Sequence, residues 1–237
     1  MPEALLRRDR AIVAAGLLGL AALAWAYVVH MAGAPAHMAM AMPGMVDGAP
    51  GLAWLVAMWA VMMVAMMVPS AAPTILLFAS VSRRRRQQGR PAVPVAVFTL
   101  GYLLVWTAYA AAAGTLQWGL HRAALLSPAM RAASPLLGGG LLIAAGIYQW
   151  LPLKGACLAH CRSPLGFFAA GWREGGWGAL LMGIRHGSYC VGCCWLLMAL
   201  LFVAGVMNLL WVAAIAGFVL IEKLVPGGER LGRVAGL

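Results

Sequence analysis

The chain has 237 residues, of which 64% are hydrophobic and 10% charged, and its formal net charge is +11. An ordinary globular domain is roughly half apolar and about a quarter charged, so a soluble core of this size would leave too much apolar surface in water. The cations cluster between long apolar runs and form no single basic face, a pattern of membrane topology that argues against nucleic acid as a partner.

A helix needs about 20 apolar residues to cross a bilayer. By that measure the first span runs from Ala11 to about Val29, behind Arg7, Arg8 and Arg10. The basic head, the apolar run and Ala32-Gly33-Ala34 also fit a cleaved signal peptide. The apolar run is longer than most signal cores, so a retained anchor is the preferred reading. The outside, periplasmic loop over residues 31–50 is rich in Met, Ala, Gly and Pro, is too short to fold alone and is expected to be flexible. The second span starts near Gly51 and ends near Ser80, and the third runs from about Ala92 to Leu116. The fourth runs from about Pro135 to Leu151 and leads into a cytoplasmic connection, residues 152–176. The fifth lies within Trp177 to Ala204, with Arg185 and His186 marking the water interface, and the sixth runs from about Met207 to Leu224. The expected fold is all-α, a polytopic transmembrane bundle of about six spans forming a single integral membrane domain over residues 1–237. No internal repeat, strand pattern or separate soluble domain is visible.

Orientation follows from the loops. Arg83 to Arg86 and Arg90 follow the second span, Lys154, Arg162 and Arg173 the fourth, and Lys223, Arg230 and Arg233 the sixth. With six spans these all share the side of the basic N-terminus, so the positive-inside rule places both termini in the cytoplasm.

The chemistry has to come from soft donors. There are 6 acidic residues, and Glu3, Asp9 and Glu229 lie near the termini, so no carboxylate pair is placed for acid–base work. Glu222 reads as structural, a partner for Arg185 or Lys223. All 5 Cys fall in two clusters. In the first, Cys157, His160 and Cys161 stand at i, i+3 and i+4 on one helical face. In the second, Cys190, Cys193 and Cys194 repeat that spacing. His186 stands one turn before Cys190, so Met182, His186, Cys190, Cys194 and Met198 form a soft stripe. Thiolate and imidazole suit zinc, Cu(I) or iron–sulfur chemistry. A single membrane Cys is ordinary packing, but two clusters that each contain a His point to metal or thiol-redox work.

The outer loop adds His30, Met31, His37, Met38, Met40, Met42 and Met45. The second span carries Met58, Met62 and Met66 one turn apart, with Met63 and Met67 beside them. Thioethers hold Cu(I) and reject hard cations, which makes copper(I) the expected metal, with zinc or iron as alternatives. At 1.5 Å rise per residue Met66 lies on the order of 22 Å inward from Gly51, so the Met ladder and the second Cys cluster can meet at one depth. Pro69 should kink the second helix there.

Three stretches carry a resemblance: Met62 to Ser70 (MMVAMMVPS), Cys157 to Pro164 (CLAHCRSP), and Gly187 through Cys190-Val191-Gly192-Cys193-Cys194-Trp195 to Met207-Asn208. They resemble an uncharacterised bacterial family of predicted metal-binding integral membrane proteins, over about Trp54 to Lys223. The resemblance implies a bacterial inner-membrane protein with a metal site. It supplies no metal, reaction or partner.

The expected function is soft-metal handling, by transport, transfer or insertion of Cu(I), with Cys157, His160, Cys161, His186, Cys190, Cys193, Cys194, Met62 and Met66 as the metal-site residues. The expected partners are the lipid bilayer, the metal ion, and a metallochaperone or metalloenzyme. One alternative is a membrane thiol-disulfide oxidoreductase using Cys190 and Cys193 as a CxxC pair, opposed by the reducing cytoplasmic setting. Another is a haem or iron–sulfur anchor with His160 and His186 as candidate haem ligands.

Overall fold

The computed structural model describes residues 2–33, 45–46, 49–90, 93–126 and 134–237. Its elements in chain order are α1 (Pro2–Gly33), β1 (Met45–Val46), β2 (Ala49–Pro50), α2 (Leu52–Gln87), α3 (Val95–Arg122), α4 (Pro135–Trp150), α5 (Pro152–Arg162), α6 (Pro164–Gly171), α7 (Gly175–Ala199), α8 (Leu201–Ala204), α9 (Leu209–Leu224) and α10 (Gly228–Ala235). The two short strands pair antiparallel, Met45 with Pro50 and Val46 with Ala49. The end of the expected flexible loop therefore carries a small hairpin. His37, Met38, Met40 and Met42 lie outside the described residues.

Four helical stretches are long and apolar enough to cross a membrane: Arg10–Gly33, Leu52–Gln87, Val95–Arg122 and Gly175–Ala204. Helices α4 and α5 bend by 65° at their junction and add a fifth if they form one broken span. The expected six is thus four to five on this measure. The shortfall is physical, because α4 and α9 have 16 residues each. At 1.5 Å per residue that is about 24 Å, less than a hydrocarbon core of about 30 Å. The second helix outlasts its expected end at Ser80, continuing to Gln87 and carrying Arg83 to Arg86 on its last turns.

The breaks have local causes. Pro152 and Pro164 occupy the first turns of α5 and α6, where the missing N–H costs nothing. Leu151 and Ser163 before them are non-helical, as residues preceding proline tend to be. Gly205, at φ +97°, closes α8 in a conformation that side chains resist. Pro69 and Pro73 lie inside α2 without ending it.

Helices α3 and α7 pack by close backbone approach. A Cβ on Gly183 of α7 would lie 2.1 Å from the Phe98 carbonyl oxygen of α3, and one on Gly101 would lie 2.3 Å from the Leu180 carbonyl oxygen. Gly187 sits one turn further along, against Val105. Gly114 plays the same part between α3 and Val56 of α2. Against this frame α2 buries Leu55, Met58, Trp59, Met62, Met63, Met66 and Met67. The outer faces keep their apolar side chains exposed, with Leu23 at 73% and Leu136 at 87%.

Candidate metal centre

The second Cys cluster sits on the buried face of α7, with Cys190, Cys193 and Cys194 each 1% exposed. The helix begins at Gly175, so His186 lies in mid-helix and is buried. It was expected at the water interface, but three rings from two elements enclose it. Phe98 and Tyr102 of α3 stack against it, and Phe167 of α6 meets it edge-on. Among the described residues its Nδ1 has no hydrogen-bond partner. Arg185 next to it is exposed, donates to the Tyr189 hydroxyl at 3.3 Å and lies over the Phe167 and Tyr189 rings.

The first cluster lies on α5, which packs along α7. The i, i+3, i+4 face does face α7, but its three residues divide. Cys161 stands close enough to Cys190 and Cys193 for the sulfurs to interact. Cys157 packs over Gly192, where an added Cβ would meet its sulfur at 2.7 Å. His160 is exposed, bonds through Nδ1 to the Ala156 carbonyl at 2.9 Å and stacks on Tyr189 at 4.1 Å.

From α2, Met67 reaches the cluster, with its sulfur 3.9 Å from that of Cys194. The Met ladder and the Cys cluster therefore do meet at one depth. Met62 and Met66 are buried on the same helix, while the recorded sulfur contact belongs to Met67.

Three polar groups complete the site, and sequence reasoning passed over all of them. Lys223 of α9 points its Nζ at the Cys190 sulfur, 2.9 Å away, and donates to the Ser70 hydroxyl of α2 at 3.1 Å. The Tyr102 hydroxyl donates to the Met67 carbonyl at 3.1 Å and lies 3.1 Å from the Cys190 sulfur. Lys223 is 6% exposed, and a buried charge persists only when paired and hydrogen-bonded. An ammonium at this distance from sulfur is the geometry of a cation–thiolate pair.

Glu222 does not pair with Arg185 or Lys223. It holds Lys154 of α5 at 2.5 Å. Lys154 also donates to Gln149. Arg162 bonds the backbone carbonyls of Glu222 and Val225 at 3.2 and 2.9 Å. This network clamps α5, and with it Cys161, to α9.

The donors are adjacent rather than converged. Among the described residues, no three His, Cys, Asp or Glu side chains already form a metal cage. The Cys193 and Cys194 thiols turn back on the Cys190 carbonyl, at 3.1 and 3.0 Å, and Lys223 occupies one side of Cys190. Ligation would need side-chain rotations within the cluster.

A family model described as PpoB2, copper chaperone, matches residues 56–237, more than half of the chain. No curated protein and no solved structure matches it.

Proposed function

The chain belongs to the PpoB2 copper chaperone family, and we propose that it is a bacterial inner-membrane protein that holds Cu(I) among Cys161, Cys190, Cys193, Cys194 and Met67. The observation that carries this reading is the gathering of four cysteine sulfurs and one thioether from α5, α7 and α2, with Cys190, Cys193 and Cys194 buried and Cys161 at the edge. Thiolate and thioether donors select soft cations and disfavour Mg2+ or Ca2+. His186, one turn from Cys190 with Nδ1 unpartnered, stands in reserve as a nitrogen donor. Cys157 over Gly192 and exposed His160 flank the site on its α5 side, as positions through which a copper ion is handed on. Met62 and Met66 line the approach along α2.

The cargo moves by ligand exchange: each new sulfur binds before the last one leaves, so bare Cu(I) never enters the apolar interior. The acceptor is a metallochaperone or a metalloenzyme. Six crossings with both termini cytoplasmic remain the preferred topology, supported by the arginines on the last turns of α2. Reporter fusions at Arg90 and at the C-terminus test that orientation.

The direct test is elemental analysis of the detergent-purified chain together with its absorption spectrum. Near-stoichiometric copper in a colourless sample supports the proposal. Unchanged copper content after Cys190→Ser with Cys193→Ser overturns this site. A metal-free sample with titratable disulfides indicates the oxidoreductase, and iron with visible bands indicates a redox cofactor.

A further inference from the structure

Among the described residues, Lys223 is the charged group that touches the sulfur cluster. Its neighbour Glu222 is neutralised by Lys154 at 2.5 Å, Arg162 is committed to backbone carbonyls, and Arg185 is exposed on the far flank over Phe167 and Tyr189. Nζ lies 2.9 Å from Cys190 and is tethered from the other side by Ser70 at 3.1 Å. The tether keeps the ammonium beside the site even when Cys190 turns to a metal. A ligating cysteine binds as thiolate, and a buried site tolerates net charge poorly. Cu(I) and Ag(I) are satisfied by a linear pair of thiolates, and two thiolates, one monovalent cation and the ammonium cancel. A divalent cation in the same place leaves one positive charge uncompensated.

From this we infer that Lys223 sets the charge selectivity of the site, sharpening its preference for monovalent soft cations, Cu(I) and Ag(I), over divalent cations that thiolates also bind. Sulfur donors alone do not exclude divalent ions, since they also hold Cd2+ and Zn2+. The lysine therefore excludes by charge what the cysteines would accept by softness, and it does so without ligating anything itself. The inference rests on the sulfur cluster being the copper site.

The experiment compares Ag+ and Cd2+ binding to the full-length chain in detergent, read from thiolate-to-metal ultraviolet absorbance. The two ions are both soft and differ in charge. Lys223→Met removes the charge with little change of volume. The Ag+/Cd2+ affinity ratio should fall on the order of a hundredfold in that variant, the cost of one buried uncompensated charge, through tighter Cd2+ as well as weaker Ag+. Lys223→Arg keeps the charge and should keep the wild-type ratio. If Lys223→Met does not fold, Lys223→Gln is read in the same way. Equal ratios in the neutral variant and the wild type overturn the inference. A site that Cys190→Ser leaves unchanged for both ions overturns the copper-site reading instead, so the two failures are distinguishable.

Discussion

Removing Glu222 tests how the two halves of the site are held together. The side chains of Lys154 and Glu222 are 4% and 2% exposed and their charges meet at 2.5 Å. Glu222→Leu leaves Lys154 buried with Gln149 as its side-chain partner. Breaking a buried pair from one side costs about 3–5 kcal/mol, whereas replacing both partners with apolar residues is often near neutral. At about 2–4 °C per kcal/mol for a chain of this size, the single variant should lose roughly 6–20 °C of melting temperature. The double variant Lys154→Met, Glu222→Leu should recover most of that. Tryptophan-fluorescence unfolding in detergent reads both. The effect should also reach the sulfurs, because Lys154, Cys157 and Cys161 share one face of α5 at i, i+3 and i+7. Freed from α9, Cys161 should react faster with maleimide in the single variant than in the wild type. A single variant that melts within about 1 °C of wild type, or a double variant no better than the single, would refute the reasoning.

Gly183→Ala places a Cβ 2.1 Å from the Phe98 carbonyl oxygen, so α3 and α7 must part; a loss of about 1–3 kcal/mol is expected from overpacking, measurable by thermal unfolding. Met67→Leu should lower Ag+ affinity several-fold while Met66→Leu leaves it unchanged, because the Met67 sulfur lies 3.9 Å from that of Cys194; equal effects on titration would contradict this. His160→Ala should leave metal affinity unaltered and slow transfer to a chelator, as expected for an exposed ring stacked on Tyr189. Half-exposed Cys157 and Cys161 should alkylate before buried Cys190, Cys193 and Cys194, and bound copper should protect Cys161; mass spectrometry of labelled peptides reads both.

The spacing i, i+3, i+4 was enough to place Cys157, His160 and Cys161 on the face of α5 that meets α7, because helical periodicity is a local property. The meeting of the Met ladder with the cysteines was also legible, from rise per residue alone. Which methionine makes the contact was not, since Met66 and Met67 differ by about 100° of helical rotation that only tertiary packing fixes. Lys223 was read as a topology cation and a partner for Glu222, not as part of the site, because a lysine at the end of an apolar run reads as an interfacial anchor. Its partners, Cys190 and Ser70, are 33 and 153 residues away in sequence, and no local pattern reports such pairings. Glu222 was matched to the wrong cation for the same reason: the bend at Leu151 brings Lys154 to it, and a bend of 65° leaves no trace in hydropathy. His186 looked interfacial beside Arg185, but one helical step of rotation turns one residue outward and the other into an aromatic enclosure.

The glycine contacts and the proline breaks give the two sides of the sulfur cluster different mechanics. Cys190 and Tyr102 stand on α7 and α3, locked backbone to backbone by Gly101, Gly183 and Gly187. Cys157 and Cys161 ride on an 11-residue helix bounded at Leu151 and Ser163 by single non-helical residues, where the ladder of backbone hydrogen bonds is interrupted. One wall behaves as a stator, and the other is a short lever pinned by the side chains of Lys154 and Arg162. A force on this molecule is therefore absorbed at two hinges, and the distance between Cys161 and Cys190 is the coordinate along which it gives.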